Sequence, residues 1–211
     1  MTPRRDNDKH ARITDAAVRV FAERGYHNTR VHDIAEAAGV ADGTIYLYFR
    51  NKEDILLSVF EREMDALLGG LTAALDGLTC PKERLRVFAR HHFSQVHTNR
   101  AVAEVLQVEL RLSNKFLKEY RPEKLWSYLG VLGNILKDGK QLGVFRSTVD
   151  PFLLKWAFFG ALDELAVQYV LTRKPERFRI DAAADEVADV FLSGLLCSPE
   201  PSSPQASLEE P

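Results

Sequence analysis

Between Thr29 and Lys52 the chain reads TRVHDIAEAAGVADGTIYLYFRNK, and few folds are open to such a stretch. Thr29 is a good N-cap, and Val31, Ile34, Ala35 and Ala38 follow at the spacing that gives a helix one apolar face. Gly39 stops that helix, because the residue just past a helix end often needs positive φ. Val40 plugs the corner and a second helix begins near Asp42. In it Ile45 and Phe49 face inward, whereas Thr44 and Tyr48 share a polar, outward face. Two helices joined by a short turn containing Gly make a helix-turn-helix, whose second helix enters the major groove of DNA while its neighbours hold phosphates. An ordinary helical hairpin would satisfy the same pattern.

The wider segment from Ala11 to Leu57 resembles the DNA-binding domain of TetR-type transcriptional regulators. The resemblance rests on Ile13, Ala17, Val20 and Phe21 in a first helix, then GYHNTRVHDIAEAAGV, then GTIYLYFRNKEDIL. It implies an all-α, TetR-like fold: a three-helix head of the helix-turn-helix type, then a larger helical ligand-binding and dimerisation domain. It also implies phosphate contacts from Arg30, Thr44, Tyr48 and Lys52, with Gly43, Tyr46 and Leu47 nearest base edges. Leu47 suits a thymine methyl. Many members carry Ser-Lys where this chain has Ala41-Asp42. Ala41 cannot cap, so Asp42 is expected to take that role. An acid there suits the helix dipole but repels phosphate, leaving fewer backbone contacts or a contact to a cytosine amino group, against the plainer reading of a simple N-terminal acid.

Charge narrows the function further. The net charge is −2 and the pI about 6.3, which argues against a histone-like, non-specific binder. The first 55 residues hold nine Lys or Arg and nine Asp or Glu, so DNA affinity must come from local arrangement and from pairing two heads. Arg4, Arg5, Lys9 and Arg12 form either an arm that reaches phosphate or a frayed terminus. Cys80 and Cys197 lie far apart without ligand-spaced neighbours, and His91, His92 and His97 lack the spacing of three or four that puts two metal ligands on one helical face. No metal or cofactor is expected. The most apolar stretch, Phe152 to Thr172, is interrupted by Lys155, Asp163, Glu164 and Gln168, so a spanning helix is not expected and a cytoplasmic protein is.

The remaining chain reads as helices: a long one capped by Asn51, others from Pro81, from Ala101 to Asn114, from Pro122 to Leu142, from Pro151 to about Leu171, and from Asp181 to Leu196. Three regions follow: a head over 1–50, a body over 51–197 and a Pro-, Ser- and Glu-rich tail over 198–211, expected to be disordered. The helix from Pro151 is apolar nearly all round and needs cover on two sides. Phe158, Leu162 and Leu165, with Val187, Phe191 and Leu195 of the last helix, are therefore expected at a homodimer interface, in keeping with the four-helix interface of TetR-type proteins.

The body resembles more narrowly the FadR-type members, which answer to long-chain acyl-CoA, through LQVELRLSN from Leu106 and FFGALDE from Phe158. This implies a repressor of fatty acid degradation genes, bound as a homodimer to a palindromic operator and released by the thioester. An acyl chain needs an apolar tunnel, for which Phe88, Phe93, Leu106, Leu110, Trp126, Leu129 and Phe159 are candidates; the nucleotide phosphates need cations, for which Arg90, Arg100 and Arg111 are candidates. Each is also readable as ordinary core or solvated surface. Glu109 shares a face with Val102, Val105 and Leu106 and would want a partner if buried. A sensor of drugs or aromatic compounds controlling an efflux pump is the alternative. An enzyme is not expected, since no nucleophile with a base, paired carboxylates or phosphate-cradling Gly loop is evident.

Overall fold

The computed structural model describes residues 3–98, 100–110 and 120–196. Among them every regular element is helical, apart from a single antiparallel bridge between Phe145 and Leu196. Helices α1 (Pro3–Arg24), α2 (Val31–Ala38) and α3 (Asp42–Ile45) form the head. A long α4 (Lys52–Leu75) leads into α5 (Pro81–Thr98), α6 (Arg100–Glu104), α7 (Glu123–Gln141), α8 (Pro151–Leu171) and α9 (Ile180–Leu195). The tail over 198–211, Cys197, Arg111 and the end of the expected helix to Asn114 lie outside the described residues.

In the head, Ile13, Ala17, Phe21, Ile34, Ile45 and Phe49 come together in one buried cluster. The N-cap of α2 is Arg30 rather than Thr29: the Asp33 carboxylate accepts the Arg30 backbone N–H at 2.7 Å. Thr29 is buried, and its hydroxyl donates to the Gly25 carbonyl at 2.8 Å, closing the α1–α2 turn from inside. Gly39 ends α2 at φ 64°, with Val40 N donating to Ala35 O and Gly39 N to Glu36 O, both near 3.0 Å. That is a Schellman ending, which an L side chain at position 39 would strain. Arg12 adds a bond to Ala38 O at 2.8 Å and Arg24 one to Asp33 at 2.7 Å, so α1 is clamped to both ends of α2.

Asn51 caps α4 through Asp54 N at 2.9 Å, and Asp54 returns the favour by accepting the Arg50 backbone N–H at 3.0 Å. In the body α5 lies at the centre, packed by α4, α7, α8 and α9. Phe88 and Tyr128 stack with centroids 4.7 Å apart, and Phe158 meets Phe191 edge-on at 5.0 Å. The expected helix from Ala101 departs from α geometry: after α6 a π turn runs from Val105 to Glu109, with Leu110 N bonded to Val105 O. The wider turn re-phases the segment. Val102, Val105 and Leu110 are buried, so Leu110 takes the inward place that a continuous α-helix assigns to residue 109.

Candidate nucleic-acid interface and helical body

The reading surface is small. α3 has one helical turn, extended by the bonds Leu47 N to Thr44 O, Tyr48 N to Ile45 O and Phe49 N to Ile45 O. Ile45 and Phe49 anchor it, which turns Tyr46 and Leu47 outward at 58% and 78% exposure. Gly43 is exposed beside them, with open space where a Cβ would stand. Thr44 and Tyr48 are half-buried at the edge of this surface, and Tyr48 meets the His10 ring edge-on at 6.3 Å. Arg30 is exposed at the start of α2.

Lys52 is placed differently from the expectation of a phosphate ligand. Its ammonium donates to the carbonyls of Tyr26 at 2.7 Å, Thr29 at 2.9 Å and His27 at 3.4 Å, and lies 4.3 Å from the centre of the Tyr26 ring. An ammonium has three hydrogens, and three carbonyls receive them. Lys52 therefore locks the α1–α2 turn onto the start of α4.

Asp42 is the first residue of α3, whose N-cap, Ala41, makes no side-chain bond. Its carboxylate does not close the helix end; its two oxygens lie 3.0 and 3.1 Å from His32 Nδ1 on α2. The bond to Asp42 and its charge hold the His32 imidazole above its ordinary pKa. Asp33 is held below the ordinary carboxylate range, first by the Arg30 backbone N–H and then by Arg24. The His32–Asp42 pair joins residues ten apart on two helices, a contact that the sequence signals only as an acid in an unusual place.

Salt links tie the head to the body through α4. Arg62 pairs with Asp15 of α1, and Thr14 and Ser58 hydroxyls lie 3.2 Å apart. From α7, Lys124 reaches Asp65 at 2.6 Å and Glu61 at 2.9 Å. Desolvation opposes its charge, but the two carboxylates hold the ammonium above its usual pKa. α6 packs on both α1 and α8, and is rooted by Arg100, whose Nη2 donates to Val170 O at 2.9 Å and Thr172 O at 2.5 Å.

That role removes Arg100 from the candidate cations at a tunnel mouth, and Arg90 is likewise engaged with Asp185 of α9 at 2.8 Å. Phe88, Phe93, Leu110 and Leu129 are packed in the core, Leu106 and Phe159 are half-buried, and Trp126 is 52% exposed on α7, outside any apolar wall. Among these aromatics sits one polar pair, His92 Nδ1 and Tyr128 OH at 3.2 Å; burial, then the charge of Asp163, pushes the Tyr128 hydroxyl well up. His91 bonds the Leu67 carbonyl through Nε2, and His97 lies 3.2 Å from Tyr169 OH.

The outward face of α8 and α9 also differs from the expected set. Phe158, Leu162 and Leu195 are buried inside the protomer, because they are the side chains that pack α8 and α9 onto α5 and its neighbours. Leu165, Val187 and Phe191 are half-buried. Exposed instead are Phe152, Leu153, Trp156 and Val190, and a groove of about 450 Å³ runs between the two helices, floored by Val149, Ala157, Phe191 and Gly194. An all-round apolar helix has two faces to cover, and apolar spacing alone cannot say which one looks inward.

A clamped helix-turn-helix carried on a long helix and backed by an aromatic helical body is the build of a DNA-binding regulator that reports on a second event in its body. The chain belongs to the TetR family of bacterial regulatory proteins, whose model matches residues 13–59; residues 60–194 match the C-terminal region of YsiA-like proteins. It is 38% identical over 187 residues to the fatty acid metabolism regulator protein of Bacillus subtilis, covering 89% of this chain and 95% of that one. The crystal structure of FadR from Bacillus subtilis in complex with stearoyl-CoA superposes with a TM-score of 0.79 at 38% identity, covering 87% of this chain and 98% of that one. FadR of Bacillus halodurans, a fatty acid degradation regulator, gives 0.77 at 40% identity, covering 88% and 98%.

Proposed function

We propose that the protein is a homodimeric repressor of fatty acid degradation genes that leaves a palindromic operator when a long-chain acyl-CoA binds its body. The observation that carries this is the likeness over nearly the whole chain, body included, to a regulator whose crystal structure holds stearoyl-CoA. The efflux alternative is not favoured by relatives whose names concern fatty acid metabolism.

The fold supports a mechanism. Leu106, Phe159 and the aromatic side chains of α5 and α7 part to admit the acyl chain, and His92 with Tyr128 offers a polar pair among those rings. Parting α5, α7 and α8 displaces α7, which the Lys124 links pass to α4, and α8, which Arg100 passes to α6 and hence to α1. Two heads that must meet two half-sites at once lose most of their specific affinity when their spacing changes by a few ångströms, because a hydrogen bond tolerates only about half an ångström. The second copy docks on the face of Phe152, Leu153, Trp156 and Val190.

Native mass spectrometry of the purified protein tests both parts. A dimer carrying an acyl thioester is expected, and stearoyl-CoA added to saturation should release a duplex selected by the protein from a random pool. By linkage, that duplex should weaken stearoyl-CoA binding by the same factor. Operator affinity unchanged by saturating stearoyl-CoA would remove the effector assignment and leave the DNA-binding reading intact.

A further inference from the structure

Asp42 is an odd residue for the leading end of a reading helix. The N-terminal residues of such a helix meet the DNA, whose phosphates and most major-groove atoms are acceptors. A bare carboxylate beside Gly43 and Thr44 would repel them. The structure gives this acid a partner: His32 Nδ1 lies 3.0 and 3.1 Å from its two oxygens, and both side chains are more than half exposed, at 69% and 51%.

The chemistry of the pair fixes the tautomer. A carboxylate only accepts, so Nδ1 carries the hydrogen. In the neutral ring Nε2 is then a bare acceptor; in the imidazolium it is a donor. His32 is the second residue of α2, at the helix end where backbone N–H groups point outward and anions are favoured. We propose that His32 contacts DNA, its imidazolium held by the Asp42 carboxylate and donating Nε2–H to a backbone phosphate oxygen beside the half-site read by α3.

The surrounding charges agree. Asp42 on α3 first, then Glu36 and Asp33 on α2, favour the imidazolium against the outward-pointing N–H groups at the start of α2. The cations that α1 brings to α2 are committed elsewhere: Arg24 to Asp33, Arg12 to the Ala38 carbonyl and Arg19 to the Ala37 carbonyl. The protonated pair thus carries no net charge: it cancels the repulsion that a bare Asp42 carboxylate would exert at the start of α3 and presents a donor there. It also makes DNA binding take up a proton at each head when the free ring is neutral, so affinity falls as pH rises. The inference rests on DNA binding by the head and is independent of the effector.

The test uses full-length protein and the duplex that the wild type selects from a random-sequence pool at pH 6.5, with affinity measured by fluorescence anisotropy from pH 6 to 8.5 at fixed ionic strength. For the wild type, affinity should fall by up to about tenfold per pH unit for each head engaged. His32→Gln should lose this pH dependence and flatten the log–log salt slope by about 0.9 per head, while selecting the same sequences. Asp42→Asn should move the transition to lower pH, and His10→Gln and His27→Gln should keep the wild-type profile. A His32→Gln protein with wild-type pH and salt slopes overturns the proposal. A changed sequence preference overturns it too, since the contact would then be to a base. Should His32→Gln bind no duplex, the His32 ring titrated by NMR in the wild type decides: its pKa rises on adding duplex if the contact forms, and a fixed or lowered value rejects it.

Discussion

The Lys52 ammonium stands 2.7 Å from the Tyr26 carbonyl oxygen and 4.3 Å from the centre of the same residue's ring, pinning the first residue of α4 to the turn between α1 and α2. A basic residue next to the reading surface is thereby a structural bolt, and it sets how the head is oriented on the helix that carries it.

Lys52→Met, which keeps the apolar stem and removes the donors, should therefore cost about 1–3 kcal/mol of stability through three carbonyls left without their charged donor. Urea denaturation followed by far-ultraviolet circular dichroism reads this directly. The salt slope of DNA binding, measured below the shifted midpoint, should stay at the wild-type value. A slope reduced by one unit per head would return Lys52 to the phosphate contacts.

Tyr46 and Leu47 project from α3 with little packed against them, so Tyr46→Ala and Leu47→Ala should change stability by no more than about 0.5 kcal/mol. Their effect belongs to recognition. Selection from random duplexes should return an altered half-site for each variant, with Leu47→Ala relaxing preference where a thymine methyl is met.

Oligomerisation should separate cleanly from core stability. Trp156→Glu or Val190→Glu places a charge on the exposed α8–α9 face and should give a folded monomer in light scattering, with operator binding lost. Leu162→Ala, by contrast, opens a cavity at a fully buried site and should cost about 2–5 kcal/mol while leaving the dimer at temperatures below its midpoint.

Acid and base should move the head's stability in opposite senses through two histidines. Burial lowers the pKa of His10, whose ring lies 4.7 Å from Phe49, below the ordinary 6.5. Above 6.5 both states are neutral and nothing is contributed. As pH falls below it, the unfolded chain takes the proton first and stability drops. His32 has the opposite sign: its raised pKa stabilises the head below 6.5 and is lost as pH rises through the folded value. Comparing urea midpoints of wild type, His10→Gln and His32→Gln between pH 5.5 and 8 resolves both. Asp33, with its lowered pKa, contributes stability that is constant above 3.8 and is lost only as pH falls below that value, outside this window.

Much of this architecture is written in local patterns. Asn51, Pro81, Gly143 and Pro151 mark helix ends within a residue or so of where they fall, because capping and proline geometry act over three or four neighbouring residues. Gly39 declared the corner of the helix-turn-helix for the same reason. The π turn at Val105 was not legible, since a stretch of Val, Leu and Gln has no local mark that favours a wider turn.

From sequence alone came the all-α class, the reading head at Thr29 to Lys52, and an apolar helix too greasy to be covered on one side only. Tertiary structure alone decided which side chains of that helix look inward, that Arg90 and Arg100 answer to Asp185 and to the end of α8, and that Lys52 holds a turn instead of reaching outward. The division follows from range: caps, turns and periodic faces are set by residues a few places apart, whereas the partner of a charged side chain is chosen by helices packed from distant parts of the chain. His32 and Asp42, ten residues apart and on different helices, stand on that boundary, the acid visible as a departure in sequence and its partner only in the fold.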